Sequence, residues 1–122
     1  MTDDLTERLS RLDACAVSDA LDGMHLEGVA LGLSALSAWH RVVGRAVTVK
    51  LGPDAGGEKK RHLATAAIEV AGAGDVIVID NGARTDVAGG GGILSLAAFT
   101  RGVAGVVIDG ASRDSDEARE LG

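Results

Sequence analysis

Arg113 and Asp114 stand side by side just after an apolar run that reads as a buried strand. A guanidinium can grip a carboxylate or a carbonyl oxygen, and a carboxylate can ligate a hard cation such as Mg²⁺. The same two residues can equally form a surface ion pair that caps a following helix. Residue type alone leaves both readings open. A second feature is the run Gly89 to Gly92, placed directly before a helical pattern. Without side chains, the amides that open a helix can approach an anion such as a carboxylate or phosphate. Taken alone the run is weak, because a flexible turn has the same composition and neither glycine-rich nucleotide fingerprint is present.

Other chemistry-bearing residues are less organised. His25, His40 and His62 lack metal-ligand spacing. Lys50, Lys59 and Lys60 are the only lysines. Lys59 and Lys60 open a charged helix start, and Lys50 ends a strand, so a Schiff-base amine, which needs desolvation, has only Lys50 as a candidate. Asp80 and Asp109 both end strands and can approach a site or cap turns. Cys15, the single cysteine, reads as a small buried hydrophobe. It excludes an internal disulfide and a cysteine metal cluster. Trp39 reads as a hydrophobic plug.

These residues need a scaffold, and the hydrophobic pattern supplies one. Leu5, Leu9, Leu12 and Ala16 form one helical stripe over 4–16. Ser18 is placed to cap a second short helix ending near Gly23. Residues 25–43 read as loop. Gly44 to Lys50 alternates as a strand, and Leu51 to Gly57 is a loop holding the only proline. Glu58 to Ala71 reads as a helix with Leu63, Ala66, Ala67 and Val70 inward. Val76 to Asp80 is a buried strand, Asn81 to Gly92 a glycine-rich loop, and Ile93 to Thr100 a helix. Ala104 to Ile108 is a further buried strand, followed by a helix from Ser115 to Leu121. Strand, helix, strand over 76–108 is a βαβ unit with parallel strands and a right-handed crossover. In such open sheets ligands gather at the carboxyl ends of strands, where the loops 81–92 and 109–114 both lie.

Bulk properties agree with a soluble α/β domain. The 122 residues carry 46% hydrophobic side chains and a net charge of −6. That is enough for one core over 1–122, and it disfavours a nucleic-acid backbone as partner. No apolar run approaches the ~18 residues of a membrane span, so the expected place is the cytoplasm.

Twenty residues separate Gly92 from Arg113; Asp114 follows, and Glu117 comes three later. The pattern G-x20-R-D-x2-E resembles the signature of the RraA-like family, which holds class II 4-hydroxy-4-methyl-2-oxoglutarate aldolases and regulators of ribonuclease activity. The segments Val17 to Asp22, Gly44 to Val49, Gly74 to Asp80 and Gly102 to Gly110 are similar in the same order. The resemblance implies an α/β sandwich of the swivelling β/β/α type, assembled as a homotrimer or a dimer of trimers. It implies that Asp114 holds a divalent metal, Mg²⁺ or Mn²⁺, partly through waters, and that Arg113 contacts a 2-oxo acid substrate. Backbone at Gly91, Gly92, Ile93 and Leu94 would bind the pyruvyl carboxylate. Glu117 and Asp109 would support the metal waters from behind, although Glu117 would serve a helix dipole equally well. The implied reaction is cleavage of a 4-hydroxy-2-oxo acid to pyruvate, with oxaloacetate decarboxylation at the same site, since both pass through a pyruvate enolate. The alternative is a non-catalytic regulator that binds a ribonuclease or another protein. Two departures stand out. Many catalytic members carry an acid where this chain has Gly92, and Asp86 is the nearest substitute in that loop. Members also continue with further strands, so the chain is expected to be short at its C-terminus relative to the family.

Overall fold

The computed structural model describes residues 4–36, 40–52 and 63–122. The expectations for Trp39, Lys59, Lys60, His62 and the start of the third helix fall outside them. Along the described chain run α1 (Asp4–Ser10), α2 (Ala14–Gly23), β1 (Ala46–Lys50), α3 (Leu63–Val70), β2 (Val76–Ala88), α4 (Gly92–Thr100), β3 (Gly105–Ala111) and α5 (Ser115–Leu121).

The three strands form one parallel sheet in the order β1-β2-β3. Register aligns Val47, Ile77 and Val106 in one row and Val49, Ile79 and Ile108 in another. Side chains two apart share a face, so these rows form one side of the sheet. Ala64, Ala67 and Ile68 from α3, Ala71 just after it and Ala98 from α4 pack on it. Ile77 and Ile79 are fully buried, and each contributes about 1.5–3 kcal/mol of hydrophobic stabilisation. Both crossover helices therefore cover the same face. Ala46, Thr48, Lys50, Asp80 and Asp109 point the other way and are exposed. The described residues thus supply one β layer and one α layer.

Several expectations shift in detail. The first helical stripe breaks at Arg11–Asp13, because Asp13 caps α2: its Oδ1 accepts the Ala16 N–H at 2.7 Å. Ser18 lies inside that helix. The carboxylate wins as cap because it is free to bond the first turn, whereas the serine is already enclosed by helical neighbours. Cys15 is exposed, since α2 buries none of its residues. On α3 the inward stripe sits one residue later than expected, so Ile68 is buried and Val70 is 73% exposed. Asn81 to Ala88 is not a loop: β2 continues through it, with two register shifts against β3. Left-handed backbone at Gly82 and Ala83 makes the first of these excursions possible.

Among the described residues no helix is long and apolar enough to cross a membrane.

Candidate active site

Two backbone bonds bring the glycine run to the end of β3. Gly89 N–H donates to the Ala111 carbonyl at 2.8 Å, and Arg113 N–H donates to the Gly90 carbonyl at 3.0 Å. Residues 22 and 23 apart in sequence thereby become neighbours. The approach needs glycine: a Cβ on Gly90 would come within 2.9 Å of Ile108 Cδ1, and one on Gly91 within 3.0 Å of Arg113 Nε. The Ser112 hydroxyl, which sequence patterning passes over, adds a long bond to the Gly90 carbonyl at 3.4 Å.

Asp114 stands at the head of α5 with left-handed backbone, φ 57° and ψ 37°. Its carboxylate does not cap its own helix. Instead Oδ2 accepts the Gly92 N–H at 3.1 Å, across to the first residue of α4. A left-handed aspartate costs of order 1–2 kcal/mol, and backbone outliers of this kind cluster at functional sites. Arg113 Nε lies 3.5 Å from the same oxygen, with the two side chains 75% and 42% exposed. A pair this exposed is worth about 0–1 kcal/mol, so stability does not explain the arrangement.

Glu117, one turn into α5, folds its carboxylate over Gly92. A Cβ on residue 92 would lie 2.8 Å from Glu117 Cδ and closer still to Oε2. Two carboxylates, Asp114 and Glu117, thus converge on the first residue of α4 beside a guanidinium. The Ile93 and Leu94 N–H groups, in the first turn of α4, meet no protein acceptor among the described residues. They carry the partial positive charge of the helix N-terminus and are free for an anion.

A cleft of about 710 Å³ adjoins the site and shares Gly90, Gly91 and Leu94 with it. Asp109 lines this cleft, and no hydrogen bond among the described residues joins it to Asp114. Asp86 is engaged elsewhere. Arg84 Nε and Nη2 hold its two oxygens at 3.0 and 2.7 Å, and that hydrogen bonding keeps its carboxyl below the usual range. The space over Gly92 belongs to Glu117, not to Asp86. Asp80 caps a turn through the Gly82 N–H at 2.9 Å, and Lys50 is an exposed strand end.

The donor set bears on the implied metal. No group of three or more His, Cys, Asp or Glu side chains gathers among the described residues. One aspartate with a second carboxylate nearby suits a hard cation that keeps most of its waters, as Mg²⁺ does, and it does not suit zinc.

The pattern of the family described as RraA-like: Aldolase/RraA matches residues 14–122, and the chain belongs to that family. The protein DlpA of Legionella pneumophila is 33% identical over 118 residues, covering 94% of this chain and 19% of the relative. A Burkholderia mallei protein, provisionally named 4-hydroxy-4-methyl-2-oxoglutarate aldolase, is 41% identical over 80 residues, 66% of this chain and 45% of its own. Among solved structures, Streptomyces coelicolor RraAS2, described as an unusual member of the RNase ES inhibitor RraA protein family, superposes with a TM-score of 0.87 at 27% identity. That superposition covers 100% of this chain and 60% of the other. The chain therefore spans less than two thirds of each of these relatives.

Proposed function

We propose that this chain carries the site of a divalent-metal-dependent carbon–carbon lyase, which cleaves 4-hydroxy-2-oxo acids to pyruvate and decarboxylates oxaloacetate. The observation that carries the reading is the convergence of Asp114 and Glu117 on Gly92, next to Arg113 and the open amides of α4. The aldolase name of the Burkholderia relative supports it.

Asp114 would hold the cation, with Glu117 close enough to bond its waters. The cation would supply Lewis-acid polarisation of the 2-oxo group. The Ile93 and Leu94 amides bind the substrate carboxylate through the helix N-terminus. Arg113 donates to the 2-oxo oxygen, where negative charge grows as the C3–C4 bond breaks and its electron pair moves into the enolate. The 4-hydroxyl proton leaves to a base as the C4 carbonyl forms, and C3 is then reprotonated to give the methyl of pyruvate. We assign these proton transfers to Glu117, whose carboxylate lies over Gly92. Loss of CO₂ from oxaloacetate yields the same enolate and needs only the second half of this sequence.

A second reading, a binding protein of the regulator type, draws on the RraAS2 likeness and on the exposed side chains of Met24, Leu26, Val29 and Leu31. Exposed apolar side chains close together in the sequence suit a protein partner. Assembly as a homotrimer belongs to either reading.

One assay separates the two. Pyruvate release from oxaloacetate and from 4-hydroxy-4-methyl-2-oxoglutarate is measured with Mg²⁺ and with chelator. The lyase reading expects turnover that the chelator abolishes. Release at background under both conditions discards it in favour of the regulator.

A further inference from the structure

Asn81 is one of two buried polar side chains among the described residues, with 4% of its surface exposed. It follows Asp80, the last residue of β2 in simple register with β3. After it the pairing jumps twice, from Asp80 opposite Asp109 to Arg84 opposite Gly110, then to Ala88 opposite Ala111. Asn81 sits at the start of this double excursion. Its Nδ2 donates to the Val87 carbonyl at 2.7 Å, near the end of it. The side chain thus ties the two ends of the irregular stretch of β2 together.

The amide is also wedged between two glycines. A Cβ on Gly89 would lie 3.5 Å from both Asn81 Cβ and Nδ2, and one on Gly110 would lie 3.0 and 3.1 Å from the same atoms. Gly89 opens the run that leads to the α4 amides. Gly110, with φ +139°, opens the turn that leads to Arg113 and Asp114. One buried side chain therefore touches the roots of both site segments.

From this geometry we infer that Asn81 is a positioning residue: it fixes the spacing between the glycine run and the Arg113–Asp114 turn, and with it the Gly92–Asp114 bond. A buried amide is costly unless it is hydrogen-bonded, and a hydrophobe of similar size would leave the Val87 carbonyl unpaired. Asparagine meets both demands, with its Nδ2 on the Val87 carbonyl. The inference deepens the lyase reading and rests on it for the kinetic part of its test.

Asn81→Asp keeps the shape and removes the donor, so the Val87 carbonyl then faces a carboxylate. In the folded variant, affinity for Mg²⁺ alone is expected to fall about tenfold, as when a residue behind a metal ligand is lost. KM for oxaloacetate is expected to rise about tenfold while kcat changes by less than about threefold, because the misplaced amides bind ground and transition states alike. The Gly92 amide peak in a ¹H–¹⁵N spectrum moves as its bond to Asp114 loosens. A residue that merely supports folding would instead lower the active fraction, cutting kcat and leaving KM, Mg²⁺ affinity and the Gly92 peak in place; that result overturns the inference. If Asn81→Asp does not fold, Asn81→Ser, which retains a hydroxyl donor, is measured in the same way. If neither variant folds, Asn81 is an element of stability and the inference is again overturned. Absence of Mg²⁺-dependent turnover in the parent chain removes the lyase reading alone; Mg²⁺ affinity and the Gly92 peak then decide the role of Asn81.

Discussion

The Glu117 carboxylate stands where a side chain on residue 92 would have to begin, with Cδ 2.8 Å from the Cβ position of Gly92. The space beside Gly92, where the family resemblance leads one to expect an acid, is thus filled from the next helix. Gly92→Ala must displace Glu117, and because the carboxylate is the far end of an exposed side chain, stability should change by less than about 1 kcal/mol. Pyruvate release should fall about 10²-fold if Glu117 moves the proton, and Glu117→Gln should match it. The double variant should be no worse than either single one, since both remove one group. Additive losses in steady-state kinetics would detach Glu117 from the chemistry.

Asp114 allows charge and backbone to be tested apart. Asparagine tolerates the left-handed region, so Asp114→Asn should keep its unfolding free energy within about 0.5 kcal/mol of the parent. Alanine should lose about 1 kcal/mol more through strain. Both should lose Mg²⁺ binding by calorimetry and about a thousandfold in turnover, the order expected when several kcal/mol of Lewis-acid stabilisation disappear. Unchanged turnover in either would place the metal elsewhere.

The Arg84–Asp86 pair fixes a pH dependence. Its hydrogen bonds lower the Asp86 pKa below the ordinary 3.8 and raise that of Arg84. A carboxyl with a depressed folded pKa contributes stability that is fully present above its unfolded value. That contribution is lost as pH falls through the folded one. The Asp86 carboxyl should therefore titrate below pH 3.8 by NMR, and Arg84→Gln should move it up toward the ordinary range, with the backbone hydrogen bond at Asp86 still holding it down. Pyruvate release between pH 5 and 8 should be indifferent to Asp86→Asn, because the pair stands apart from Gly92.

Ile79 is fully buried in the middle strand beneath α3 and α4. Ile79→Ala should cost about 2–5 kcal/mol in denaturant unfolding. A loss under 1 kcal/mol would contradict the packing described.

Much of this was legible in the residues. Apolar runs at 76–80 and 104–108 marked the central strands, because a strand buried in a parallel sheet reads as continuous hydrophobicity. The G-x20-R-D-x2-E spacing pointed to the candidate site only through the family it resembles, while the βαβ pattern placed both of its loops at the carboxyl ends of neighbouring strands. What escaped was long-range. The continuation of β2 through Asn81–Gly82 carries turn residues, and only pairing with Gly110 and Ala111 makes it a strand. Val70 and Ile68 are both apolar, so periodicity alone did not choose which faced the sheet. Glu117 over Gly92 depends on the packing of α5 against α4, which no local pattern encodes.

The glycine run also changes what mutagenesis can see. An alanine scan works by deleting atoms, and Gly89 to Gly92 have no side-chain atoms to delete. Each replacement there adds a carbon against Ile108, Arg113 or Glu117, so its effect reports the crowding of the neighbour and not the loss of a contact. The amides themselves can be removed one at a time only by exchanging the peptide N–H for an ester oxygen. Sequence comparisons would have the same blind spot, recording glycine as a missing side chain at the place where the main chain would make the contact.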